Sequence, residues 1–245
     1  GDRFLVVEKI LAGGEDLPGA WPVQGTTGYD FLFHVNNLFV PTRNQKDFDK
    51  LYALYEGFKT PLPERINAKK RLVIGKYLAG DVDNLAHLTK RVFGQYRHAS
   101  DLTLYGLRRA IVEILTQFPV YRTYVDGEPV SDADRRVIQT AVHRALEANP
   151  ELQYELRYLE KFLLLQFDEP LSQERKNEWL EYVMRFQQQT APLMAKGFED
   201  TFFYTYNRLI ALNEVGGDPR RFGLEPAEFH TFLRKRVRFW PRAMN

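Results

Sequence analysis

Two β-like stretches, "FLVVEKIL" at 4–11 and "FPVYRTYV" at 118–125, lie far apart in a chain otherwise patterned as helix. Strands separated by helices cannot form a hairpin. Parallel pairing through a helical crossover is the natural arrangement for them. Two parallel strands make a poor sheet on their own. The expectation is therefore a larger parallel sheet or barrel whose other strands lie outside this chain.

Between and beyond the strands, apolar residues recur at helical spacing. The loop "AGGEDLPGAWPVQGTTG" is broken by glycine and proline and is followed by a helix with Phe31, Val35, Leu38 and Phe39 in step. A second helix spans about 46–58, with Phe48, Leu51, Leu54 and Tyr55 on one face. A third runs from about 64 to 97, with a weak point at Gly80. Asp101 is read as the N-cap of a helix carrying Leu104, Leu107, Ile111, Ile114 and Leu115. Then "FPVYRTYV" and the turn "DGEP" mark the second strand, and "SDAD" at 131–134 has the form of a helix start. Helices are predicted over 132–148, 151–167, 172–188, 192–213 and 226–239. Leu152, Leu156, Leu159 and Leu163 form one stripe and Trp179, Tyr182, Val183 and Phe186 another.

Composition narrows the function classes. The 245 residues are 44% hydrophobic and 14% aromatic, which suits a folded globular chain. Thirty-four basic against 32 acidic residues leave a net charge of +2. That balance gives no reason to favour nucleic acid or an anionic membrane as partner. With no cysteine there is neither a disulfide framework nor thiol chemistry. No apolar run reaches membrane-spanning length, and the first residues lack the pattern of a signal peptide, so a cytoplasmic location is expected.

The five histidines, at 34, 87, 98, 143 and 230, show no metal-ligand spacing. "AGGEDLPG" and "EVGGDP" match neither a phosphate loop nor a dinucleotide fingerprint, and none of the serines at 100, 131 and 172 sits in a nucleophile elbow. Carboxylates and aromatics remain. They are densest in "KGFEDTFFYTYNRLIALNEVGGDP", 196–219. Lys196, Glu199 and Asp200 head it, Phe203, Tyr204 and Tyr206 follow, and Asn213, Glu214 and Asp218 close it. Polar groups that clamp hydroxyls beside aromatic faces that stack on sugar rings are what a carbohydrate site needs. The same residues also fit a plain reading. Glu199 and Asp200 suit the first turn of a helix, while Phe203, Tyr206, Ile210 and Asn213 could line a packed face. Glu8 raises a similar question, because a carboxylate after apolar strand residues must face water, find a partner or serve chemistry.

The segments "VVEKIL", "LPGAWPVQGTTGYDF", "FPVYRTYV", "KGFEDTFFYTYNRLIALNEVGGDP" and the terminal "FWPRAMN" occur in this order. Together they closely resemble the middle of the maltooligosyltrehalose synthases, which belong to the α-amylase superfamily of (β/α)8-barrel glycoside hydrolases and transferases. The resemblance spans essentially the whole chain. It implies a mainly α fold: a helical insertion domain with a few short strands belonging to a partial (β/α)8 barrel. Residues 1–125 would be a barrel segment with the fifth and sixth strands, 126–190 the helical insertion, and 191–245 a helical segment returning to the barrel.

The resemblance also implies a reaction. The family converts the reducing-end α-1,4 linkage of a maltooligosaccharide into an α,α-1,1 linkage by intramolecular transglycosylation, without metal or organic cofactor. Its product implies a functional link to a trehalose-releasing hydrolase. Glu8 matches the general acid/base at the end of the fifth strand. Lys196, Glu199, Asp200, Tyr204, Tyr29 and Tyr121 are implied to bind substrate. The nucleophilic Asp of the fourth strand and the His-Asp motif of the seventh fall outside this chain, which by itself would be inactive. Two other readings stay open: a non-catalytic helical module that packs against the barrel or binds oligosaccharide, and part of another α-amylase superfamily hydrolase.

Overall fold

The computed structural model describes residues 3–57, 60–94, 101–168 and 170–239. The chain divides into two compact units: one made of 1–62 and 199–245, the other of 63–198. As the residue pattern requires, helices dominate, and the described residues contain two strands of two residues each.

In the discontinuous unit, β1 (Val6–Val7) pairs in parallel with β2 (Gly25–Thr26), Val6 opposite Gly25 and Val7 opposite Thr26. The Gln24 and Thr27 amides donate to the Leu5 and Val7 carbonyls at 2.7 and 3.1 Å and extend this ladder. The strand expected over 4–11 is thus shorter, and its partner comes from a loop rich in turn residues. Gly28, with φ +101°, turns the chain directly into α1 (Tyr29–Leu38). After a 3₁₀ turn at Thr42–Asn44, α2 (Gln45–Glu56) ends at Gly57 in the left-handed region. The 3₁₀ turns Phe203–Thr205 and Ile210–Leu212 and the last helix belong to the same unit. Its core gathers Val40, Leu212 and Phe222, with Phe48 and Leu209 packed against them. Buried Asn37 donates to the Phe33 carbonyl at 2.9 Å and accepts from the Gly223 amide at 3.1 Å. Gly223 has φ +81°, and any side chain there would strike the Val40 carbonyl.

The predicted apolar face of α2 is not a core face. Leu51, Leu54 and Tyr55 are all exposed, and only Phe48 of that stripe turns into the cluster. The end of this helix at Phe58 lies outside the described residues, as do 95–97 of the following helix and 240–245 of "FWPRAMN".

The continuous unit is a helical assembly. It runs through α3 (Leu62–Val73), α4 (Ala79–Phe93), α5 (Leu104–Gln117), α6 (Asp132–Ala148), α7 (Gln153–Leu163) and α8 (Gln173–Leu193). A π-helical turn, Ile74–Leu78, joins α3 to α4 close to the expected weak point at Gly80. Ala110, Ile111, Ile114 and Leu115 of α5 have no exposed surface, nor do Ala141, Val142, Leu156, Leu159, Tyr182 and Val183 around them. The predicted leucine and aromatic stripes therefore do form the core. Ser131 caps α6 as its motif predicts, accepting from the Asp134 amide at 3.1 Å. The cap of α5 is Thr103, not Asp101. Its hydroxyl accepts from the Gly106 amide at 2.9 Å, because the first helical residue is Leu104. The helix expected over 151–167 begins as a 3₁₀ turn and ends at Leu163, since Leu165 takes φ +51° and the Gln166 amide closes back on the Lys161 carbonyl at 2.8 Å.

Two further expectations are overturned. The first concerns 118–125, which is irregular, with a bend at Val120 and Tyr121, is not a strand and does not pair with 6–11. Its backbone groups are taken by side chains instead. Lys70 donates to the Phe118 carbonyl at 2.9 Å, Thr190 to the Tyr121 carbonyl at 2.7 Å, and Asp134 accepts from the Tyr124 amide at 3.0 Å. Buried Gln187 takes both backbone groups of Val125, at 2.7 and 3.0 Å. The second concerns 192–213, which is not one helix. Pro192 sits inside α8 and has no N–H for the carbonyl four residues back. The chain widens into a π-helical segment, Met194–Phe202, before breaking into 3₁₀ turns. The last helix, α9 (Pro226–Phe239), matches its expected span.

Lys70 is buried, and burial, with the nearby charge of Arg144 second, holds its ammonium far below the ordinary lysine value, at about 7. The unfolded chain keeps its proton up to the ordinary value of 10.5. Between those pH values the unfolded state binds more protons than the folded one, so this group makes stability rise with pH across the window and penalises folding below it. Replacing Lys70 with Met should remove that rise. In urea denaturation, the stability difference between the two proteins should change by about 1 kcal/mol per pH unit between pH 7 and 9.

Candidate functional site

Strand β1 places consecutive side chains on opposite sides, and the two charges that follow it part accordingly. Glu8 is exposed. Lys9 is buried at 6% exposure and pairs with Glu15 at 2.7 Å, while the other Glu15 oxygen accepts from the Ala12 amide at 2.9 Å. Lys9 is therefore engaged by Glu15.

The partner of Glu8 comes from α1. Thr26 of β2 accepts from the Gly28 amide and donates to Asp30, both at 3.2 Å, which fixes the turn from strand to helix. That turn sets Tyr29 as the first helical residue, and its hydroxyl donates to Oε1 of Glu8 at 3.0 Å. The hydrogen bond to the Glu8 carboxylate, then its charge, burial and the charge of Glu199 all raise the Tyr29 phenol above its ordinary value. Asp30, beside it, forms an ion pair with Arg236 of α9, and His34 stacks on Phe232 of the same helix at 3.7 Å. Burial holds His34 down, at about 4, so it stays neutral near pH 7.

Behind Tyr29 lies the glycine pair of "EVGGDP". Gly216 has φ +84°, and a Cβ there would sit 3.0 Å from Tyr29 Cβ and 3.6 Å from Ile10 Cγ2. Its amide donates to Oε1 of buried Glu199 at 2.9 Å. Asn213 ties the same loop down by donating to the Phe203 carbonyl at 3.2 Å and to the Tyr206 carbonyl. Among the sequence-derived candidates, Glu8, Tyr29 and Glu199 thus lie close together. Asp200 and Tyr204 belong to the same unit and are exposed, Tyr204 at 83%. Lys196, exposed, and Tyr121, half-buried, belong to the other unit. Lys196 and Glu199 fall in a π-helical segment, in which residues three apart do not stack as they do in an α-helix.

Gly216 and Arg208 were missed in the sequence. Arg208 donates to Asp49 at 3.0 Å and to the Pro219 and Arg221 carbonyls, both at 2.9 Å, and lies over the Phe222 ring at 4.9 Å. The Gly-Gly pair was the available signal for Gly216, whereas nothing in "YNRLI" marks its arginine as a tie between loops. Arg208 also lines an open cleft of about 280 Å³ with Phe48, Leu51, Tyr52, Tyr55, Glu56 and Asn207. The cleft shares no lining residue with the Glu8 neighbourhood. Among the described residues no group of three or more His, Asp or Glu is arranged to hold a metal ion, and no helix is long and apolar enough to cross a membrane.

No protein-family model matches the chain. Curated relatives named for maltooligosyl trehalose synthase in two strains of Mycobacterium tuberculosis are 30% identical over 243 residues, 99% of this chain and 28% of theirs. The solved maltooligosyltrehalose synthase of Arthrobacter ramosus aligns over 98% of this chain and 28% of its own, with a TM-score of 0.79 and 31% identity. A Sulfolobus tokodaii structure named for the same synthase covers 96% of this chain and 26% of its own, with a TM-score of 0.65 and 26% identity. The resemblance read from the motifs thus holds over nearly the entire chain. The chain spans just over a quarter of the length of these relatives.

The close approach at Gly216 can be tested directly. Gly216→Ala adds a methyl group against Tyr29 in a backbone conformation that alanine disfavours. It should destabilise the protein by about 1–3 kcal/mol in urea denaturation, whereas an alanine at open, ordinary-φ Gly13 should change stability by well under about 1 kcal/mol.

Proposed function

We propose that this chain is the central part of a glucan-rearranging enzyme. The enzyme would convert the reducing-end α-1,4 linkage of maltooligosaccharides into an α,α-1,1 linkage by intramolecular transglycosylation, an isomerisation. In this reading residues 1–125 carry barrel segments, 126–190 the helical insertion and 191–245 the return to the barrel. The observation that carries the proposal is the setting of Glu8: an exposed carboxyl just past a parallel strand, held by the Tyr29 phenol. Barrel enzymes place their catalytic groups at such strand ends, where the βα-loops converge.

Glu8 acts as general acid/base. Protonated, it donates to the glycosidic oxygen as the bond to the reducing-end glucose breaks. A carboxylate elsewhere in the enzyme, about 5 Å from it, takes the glycosyl group as nucleophile. Ionised, Glu8 then removes the proton from the anomeric hydroxyl of the released glucose, which attacks the glycosyl-enzyme and closes the new linkage. The released sugar must be held while water is kept away, since both compete for one intermediate. Lys196, Glu199, Asp200, Tyr204, Tyr29 and Tyr121 are the candidates for contact with the sugars. The product would carry a terminal trehalose unit, which calls for a trehalose-releasing hydrolase as the next enzyme.

Two measurements on the intact enzyme test this reading. Glu8→Gln should lower turnover of maltopentaose by about 10²–10⁴-fold, the size of a lost general acid/base; near-normal turnover would remove the assignment. Lys196→Ala should raise the ratio of hydrolysis to transglycosylation, seen by chromatography as free glucose beside the non-reducing product. An unchanged ratio would mark Lys196 as a surface group with no part in holding the sugar.

A further inference from the structure

A carboxyl standing in solvent at a strand end is free to rotate, yet acid/base work requires one oxygen to be held toward the glycosidic bond. We propose that Tyr29 is the positioning residue for Glu8: its hydroxyl fixes Oε1 and leaves Oε2 to carry the transferred proton. The proposal rests on the acid/base reading of Glu8 and goes beyond the sugar-contact role that the sequence suggested for Tyr29.

The geometry argues for it in three steps. The phenol donates to Oε1 at 3.0 Å. A phenolic O–H can donate to that oxygen whether Glu8 is ionised or protonated on Oε2, so the contact survives both halves of the reaction and directs the proton to the free oxygen. A phenol on a carboxylate is also a charge-assisted bond, stronger for the ionised form than for the neutral acid. Second, Tyr29 is itself braced. The Gly216 backbone lies against its Cβ without room for a side chain, and buried Glu199 holds the Gly216 amide. Third, the other charges nearby leave this role to Tyr29. Lys9 is turned away and taken by Glu15, and Glu199, whose charge Tyr29 feels, is a carboxylate and cannot donate to Glu8 in its ionised form.

The test is Tyr29→Phe in the intact enzyme with maltopentaose as substrate, alone and combined with Glu8→Gln. The hydroxyl is lost while the Cβ that meets Gly216 is kept, and an unchanged thermal midpoint checks that the fold is retained. The expected result is a fall in kcat of about ten- to a hundredfold with little change in KM. In the Glu8→Gln background, removing the hydroxyl should have no further effect. A rise in KM with kcat unchanged, or a full additional loss in the Glu8→Gln background, would overturn the proposal and leave Tyr29 as a sugar contact. Near-normal turnover of Glu8→Gln itself would instead overturn the acid/base reading beneath it.

Discussion

Backbone that leaves a helix without joining a sheet must still find partners for its N–H and C=O groups, and this constraint shapes both compact units. The two two-residue strands among the described residues have few ladder bonds to offer. Polar side chains take their place. In the continuous unit Gln187, Thr190, Asp134 and Lys70 reach from helices to the irregular run at 118–125. In the discontinuous unit Asn37, Asn213, Arg208 and Glu199 do the same for the loops around 203–223. These polar groups are fixed by the packing, and by holding loop backbone they set where the exposed side chains stand.

Much of the helical architecture was legible because it rests on local rules. The Ser131 cap needs only its own four residues, and the leucine stripe of α7 is a matter of period. What failed depended on contacts made elsewhere. "FPVYRTYV" has the composition of a strand, but composition does not say whether a neighbouring strand or a glutamine side chain will satisfy its backbone. "GTTG" reads as a loop, yet its Gly25–Thr26 pairs with β1. The α2 stripe reads as a core face and is exposed, since periodicity marks which residues share a side and not what that side meets. The widening after Pro192 could be anticipated as a disturbance, but its extent over nine residues could not.

The site shows the same division. Motif resemblance picked out Glu8, Tyr29 and Glu199 individually. Their relation, with the phenol on one carboxylate and the other carboxylate holding the glycine behind the phenol, is tertiary and has no trace in spacing. Glu199 illustrates how a plain reading and a functional one can meet. It is buried and bonded to backbone like a structural residue, and what it positions is the loop behind the tyrosine.

The brevity of the β1–β2 ladder has a consequence for how this chain can change over evolutionary time. Because side chains alternate along a strand, a slip of one residue relative to β2 would exchange the places of Glu8 and Lys9. The exposed strand end would then present an amine in place of a carboxyl, and an acid would be forced into the pocket that Glu15 lines. A single inserted or deleted residue before Val6 can be absorbed upstream, but one between Val6 and Glu8 reverses the charge at the exposed strand end. Tolerance to length variation should therefore drop sharply across those three positions, however ordinary their residues are.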